Sequence, residues 1–207
     1  MTCGVSFGVA HLGSFGLRDE YGAVPMTRLL LVRHAHPSAN WDRDVDAGLD
    51  GLGERQAHTL VDVFAPSGPL PIVTSPLRRT RETAAPLAED WGLTPVVEHA
   101  VGEIPSPVDD LAQRGAWLRE VLGSRWSDAG PELHRWRTAL LEALLTLEVP
   151  TVVVSHYVAI NTAVGAATGD DRLITFSPAH ISITELVVED GTLRVVALGD
   201  EGTTTIQ

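Results

Sequence analysis

The sequence predicts an α/β fold: a three-layer sandwich with a mostly parallel central sheet, helices on both faces and a helical insertion over the C-terminal strand ends. Three observations carry that expectation. The runs "RLLLV", "LPIVT" and "TVVVS" are too short for stable helices, and two are rich in β-branched residues, so they read as strands covered on both faces. Segments of helical periodicity fill the intervals between them, the alternation expected of parallel strands joined by helices. Near the C-terminus, "HISITELVVEDGTLRVVALG" places Asp190-Gly191 between two alternating apolar stretches, a strong hairpin signal.

Taken in order, residues 1–25 are rich in glycine and have neither the basic start nor the apolar core of a secretory signal. They read as a poorly packed extension, with Met26 as a plausible natural start and an extra strand or turn as the alternative. Residues 26–207 then form one domain. The first strand spans Arg28 to Val32. From Glu54, the apolar residues Ala57, Leu60, Val61 and Phe64 fall on one helical face, and "APSGP" ends that helix. The second strand, Leu70 to Thr74, leads into "SPLRRTRETAAPLAEDWG", with Ser75 expected as N-cap, Pro76 at the first helical position, a break or kink at Pro86 and a stop at Gly92. About 101–150 carries no strong strand signal and reads as the helical insertion. One helix there is marked by Leu111, Gly115, Leu118 and Leu122, another by Leu133, Trp136, Leu140, Leu144 and Leu147. The strand Thr151 to Ser155 precedes a fifth helix starting around Val158.

A length of 207 residues suffices to bury a core without staples, and the single cysteine, Cys3, excludes an intramolecular disulfide framework and suggests a reducing, cytoplasmic setting. The formal net charge of -12 argues against nucleic acid and anionic membranes as partners, because a polyanion would meet long-range repulsion. No run approaches the roughly 20 apolar residues of a spanning helix.

Ligands of open α/β sheets bind beyond the carboxyl ends of the strands. Here the first strand ends in Arg33 and His34, the second leads through Ser75 to Arg78, Arg79 and Arg81, and the third ends at His156. Taken alone, a histidine after a strand is more often a hydrogen-bonded core or edge residue than a catalyst, and arginines on a first helical turn are more often a solvated face. Three together describe a pocket for an anion. A zinc site of His34, His36 and His156 is the alternative, and Arg33 with the neighbouring arginines opposes it, since they would repel a divalent cation.

The motifs "LVRHAHPSAN", "LDGLGERQA", "SPLRRTRETA", "VGEI" and "VVVSHY", in that order, resemble the histidine phosphatase (phosphoglycerate mutase-like) superfamily over Thr27 to about Leu198. The resemblance implies that His34 is the nucleophile, that Arg33, Arg79 and Asn40 bind phosphate, and that His156 is the second catalytic histidine. It places Glu103 roughly where the proton-donating acid lies, although the Gly and Trp pattern usual around that acid is missing. Asp109 and Asp110 are the fallbacks. Ala35 and Tyr157 stand where the family usually has glycine, and Tyr157, His36 and Trp41 are expected at the rim.

The implied chemistry is hydrolysis of a small phosphomonoester through phospho-His34, with no metal or organic cofactor. A phosphoglycerate-mutase-type phosphotransferase is the alternative within catalysis, and a non-catalytic phosphate-binding regulatory module is the alternative outside it. Substrate identity and oligomeric state are not written in the motifs.

Overall fold

The computed structural model describes residues 26–39, 43–108 and 110–202. Asn40, Trp41 and Asp109 lie outside the described residues, as do Cys3 and the whole expected N-terminal extension.

Six strands form one mixed sheet: β1 (Thr27–Arg33), β2 (Ile72–Thr74), β3 (Val96–Val97), β4 (Thr151–Ser155), β5 (Ile183–Glu189) and β6 (Thr192–Ala197), in the order β3-β2-β4-β1-β5-β6. The first four strands in that order run parallel, and β5 and β6 add an antiparallel edge. The β5–β6 turn is the expected one, with Asp190 at φ 51 and Gly191 at φ 69, the pair of positive φ values that two-residue hairpins need. β3 has no counterpart among the sequence expectations. Its two residues are exposed and lie at the sheet edge, so they lack the buried apolar run that marks the other parallel strands.

Alternating residues of the central strands face two separate cores. Leu30, Val32, Ile72, Val152 and Val154 pack against α1 (Gly51–Phe64) and α2 (Arg78–Trp91) through Leu60, Phe64, Ala84 and Leu87. Leu29, Leu31, Val73, Val153 and Leu186 pack against α4 (Pro131–Leu145) and α5 (Tyr157–Thr168) through Leu140, Leu144, Ile160 and Ala163. This is the predicted three-layer sandwich, with period-2 strands supplying both faces.

The insertion divides its work. Its second helix, α4, is part of the sheet-covering layer, whereas the segment around Ile104, with Val121 of α3 (Leu111–Leu122), forms a third cluster with Trp126, Val158 and Leu173 beside the start of α5.

Two local expectations change. Ser75 does not cap α2; Leu77 occupies the N-cap position with no side-chain cap bond, and the helix begins at Arg78. Pro86 sits inside α2, which continues to Trp91 and closes as expected on Gly92 in a left-handed conformation.

Candidate active site

Strand register builds the site. β1 and β4 run parallel with Arg33 opposite Ser155, so the residues that follow, His34 and His156, leave the sheet side by side. Their ring centroids are 5.2 Å apart. β2 pairs with β4 on the other side, Thr74 opposite Val154, which brings Ser75 to the same end.

The His34 ring directs Nδ1 at its neighbour's carbonyl, Ala35 O, at 2.8 Å. A carbonyl can only accept, so Nδ1 carries the hydrogen and Nε2 keeps its lone pair. The backbone around it is held from three directions. His34 N donates to Ser155 O at 2.9 Å, Ala35 N donates to Thr83 Oγ1 at 2.9 Å, and Thr83 in turn donates to Arg79 O at 2.6 Å. The threonine of "RRTRETA" thus ties α2 to the peptide that follows His34. The "GLGERQA" motif does the same from α1. Asp50 caps that helix through Leu52 N and Gly53 N, Gln56 Oε1 accepts from His36 N at 2.9 Å, and Gly53 lies so close to the His36 carbonyl that a Cβ would overlap it.

Arg33 and Arg79 are both buried. Arg33 donates from Nη1 to Pro178 O at 2.7 Å and lies over the Tyr157 ring at 4.9 Å. Arg79 donates from Nη1 to Val45 O at 3.0 Å. Burial lowers the pKa of Arg33 to about 10 and lowers that of Arg79 in the same direction. Arg78 instead pairs with Glu82 on the surface, and Arg81 is exposed, so only one of the three α2 arginines reaches the strand ends.

His34 and His156 are pushed well below the ordinary imidazole range. Burial is the largest cause for both, ahead of the arginines. His156 makes a 2.7 Å hydrogen bond between Nε2 and Ser75 Oγ, while its buried Nδ1 has no protein partner.

Glu103 follows a short helical turn, His99–Val101, that Ser155 Oγ pins by donating to Val101 O at 2.7 Å. Its Oε1 accepts from Ile104 N and, at 3.3 Å, from Val158 N in the first turn of α5. Burial raises its pKa despite those bonds and the charges of Arg79 and Arg33. Glu103 also lines a cleft of about 260 Å³ with Val45, Leu77, His99, Ile104 and Arg114. The fallback acid Asp110 is committed elsewhere, capping α3 through Gln113 N at 3.0 Å.

The rim residues fare differently. His36 is partly exposed and bonds Asp50 Oδ2 through Nδ1 at 3.0 Å. Tyr157 is less a rim group than a support: its ring lies beneath Arg33 and its hydroxyl meets Ser177 Oγ at 3.2 Å.

One residue escaped sequence reasoning. His180 packs against His34 at 5.4 Å and His36 at 5.3 Å between ring centroids, and its Nδ1 donates to His34 O at 3.0 Å. Burial lowers its pKa to about 4. It stands in a tight turn closed by Ser182 N donating to Ala179 O, with Ile181 at φ 58, where a β-branched side chain is strained. The turn is held by Ile181 N donating to Arg33 O and Arg33 N donating to Ser182 O. No local signal in "SPAHIS" could have exposed it, because its partner lies 146 residues away.

The sequence pattern of the histidine phosphatase superfamily (branch 1) matches residues 29–201. A Yersinia enterocolitica protein named "Probable phosphoglycerate mutase GpmB" is 28% identical over 155 residues, covering 66% of this chain and 72% of that one. Among solved structures, phosphoserine phosphatase from Entamoeba histolytica in complex with 3-phosphoglyceric acid superposes with a TM-score of 0.64 at 20% identity, over 84% of this chain and 97% of that one. The mycobacterial glucosyl-3-phosphoglycerate phosphatase bound to VO3 gives 0.60 at 22%, over 85% and 100%. At these identities the structural likeness carries the fold alone.

Proposed function

This chain belongs to the histidine phosphatase superfamily (branch 1), and we propose that within it the protein is a metal-independent hydrolase of small phosphomonoesters, acting through phospho-His34. The observation that carries the reading is the His34 tautomer: Nδ1 is bound to Ala35 O, so the bare Nε2 is left for phosphorus, among Arg33, Arg79 and His156.

His34 Nε2 attacks the phosphorus atom and the bond to the leaving oxygen breaks. Arg33 and Arg79 hold the phosphoryl oxygens by forked hydrogen bonds, with His156 on a third side. A donor of this kind, aimed at developing charge in a dry site, is worth about 3 to 4 kcal/mol. Glu103 gives its proton to the leaving oxygen, and burial, which raises its pKa, favours the protonated form needed for that step. Water then attacks phospho-His34, Glu103 takes back a proton, and the P–N bond breaks to release inorganic phosphate and neutral His34. The cleft beside Glu103 receives the rest of the substrate, and its size suits a small metabolite.

The relative named as a mutase supports a second reading, in which the phosphoryl group returns to an acceptor and not to water. A panel of phosphorylated metabolites separates the two. The hydrolase releases inorganic phosphate in step with substrate loss and forms an acid-labile phosphoenzyme that is absent from His34→Ala. Isomerised phosphoester without phosphate release would establish the mutase. Phosphate binding with no turnover of any ester would leave a binding module.

A further inference from the structure

We propose that this phosphoryl pocket takes its ligand together with one proton, held between His156 Nδ1 and a phosphoryl oxygen, because Ser75 and Thr80 lock His156 in the tautomer whose Nδ1 is bare. The inference rests on the reading of the site as a phosphoryl pocket, and it follows from counting hydrogens. Thr80 Oγ1 lies 2.7 Å from Leu77 O and 3.0 Å from Ser75 O. Both are acceptors, so the single Thr80 hydroxyl hydrogen must point at them. Thr80 Oγ1 is then the acceptor in its 2.9 Å contact with Ser75 Oγ, and the Ser75 hydrogen is spent there. Ser75 Oγ is left to accept, from Leu77 N at 3.2 Å and from His156 Nε2 at 2.7 Å. Neutral His156 therefore carries its hydrogen on Nε2.

The opposite assignment fails at Thr80. If Ser75 donated to His156, Thr80 would have to donate to Ser75, leaving its lone pairs facing two carbonyl oxygens at 2.7 and 3.0 Å. Ser75, Thr80 and His156 are buried, so water does not reach the two hydroxyls to relieve that repulsion.

The consequence falls on Nδ1, which is buried without a protein partner. Around His156 stand Arg33 and His34 at the end of β1, Arg79 on α2 and Glu103, which follows the His99–Val101 turn and reaches the first turn of α5. A phosphoryl dianion placed there satisfies the arginines and sets an oxygen lone pair against the Nδ1 lone pair. A proton between the two removes the conflict. A monoanion brings that proton with it, whereas a dianion must take it from solvent. Glu103 keeps its separate proton for the leaving oxygen.

Titration calorimetry with inorganic phosphate, repeated in buffers of different ionisation enthalpy, counts the protons without any need for turnover. At pH 8, where phosphate is chiefly the dianion, we expect close to one proton taken up per phosphate bound. At pH 5.5, where the monoanion dominates, we expect close to none. Between pH 8 and 9 the dissociation constant should rise about tenfold, the slope of one proton. Nitrogen spectra of histidine-labelled enzyme should show Nε2 of His156 protonated when empty and both nitrogens protonated or sharing a proton when phosphate is bound.

Thr80→Val removes the acceptor and frees the Ser75 hydrogen for His156 Nε2, so uptake at pH 8 should fall toward zero while phosphate still binds. Should that variant fail to fold, the wild-type proton count and spectra decide alone. Phosphate binding at pH 8 without uptake overturns the proposal, as does uptake that Glu103→Gln abolishes or a proton found on His34. Failure of phosphate to bind at all would strike the functional reading itself.

Discussion

At the scale of single residues, each titratable group near the phosphoryl pocket has a distinct environment, and the environment sets the expected outcome of changing it. Glu103 is the proton donor in the reading above, held by Ile104 N and Val158 N through one carboxylate oxygen. Glu103→Gln should cost about 10² to 10⁴ in rate on alkyl phosphates, the range of general acid catalysis, and far less on p-nitrophenyl phosphate, whose leaving group departs as a stable anion. Equal losses on both would show that Glu103 shapes the site without donating. His180 is a positioning residue that acts through the His34 carbonyl. An asparagine amide can place a donor near the position of Nδ1, and a leucine cannot. His180→Leu should therefore lower kcat with little change in KM, and His180→Asn should restore most of it. Two variants with the same kcat would limit His180 to packing.

At the scale of elements, two helices carry features that look like faults and act in opposite ways. Gly53 in α1 lets the helix approach the His36 carbonyl, and the same helix presents Gln56 to His36 N. Gly53→Ala must push that loop away, so it should destabilise the fold by about 1 to 3 kcal/mol, as overpacking does, and lower turnover as well. A folded Gly53→Ala enzyme with normal kinetics would show that the α1–loop contact does not set the His34 geometry. Pro86 in α2 is different, since it removes a backbone hydrogen bond mid-helix. Pro86→Ala should raise the melting temperature, by about 2 to 4 °C for each kcal/mol regained. A lower melting temperature would mean that α2 needs the distortion to dock on the sheet.

At the scale of the whole molecule, the buried histidines couple folding to pH. His34, His156 and His180 all have folded pKa values below the ordinary 6.5, that of His180 being about 4. Between those values and 6.5 the unfolded chain binds more protons than the folded one, so stability present above pH 6.5 is lost as pH falls below it. Glu103, with a raised pKa, works in the opposite sense above its usual range and offsets part of the slope. Two to three net protons correspond to roughly 3 to 4 kcal/mol per pH unit. Denaturant midpoints measured at pH 7, 6 and 5 should fall on that side, and a flat profile would contradict the buried neutral imidazoles.

The sequence by itself determined the layered α/β fold, because buried parallel strands need continuous apolar runs and their covering helices need a one-sided apolar face, and both are local patterns. It also determined that β1, α2 and β4 would carry Arg33, His34, Arg79 and His156 to one end, since parallel strands share a direction. Only the tertiary structure decided that Ser75 would hold His156 and not cap its helix, and that His180 would reach His34. Those choices depend on register between strands distant in the chain and on which hydroxyl finds which acceptor once water is excluded. A linear pattern contains the residue types for such contacts and not the distances between them.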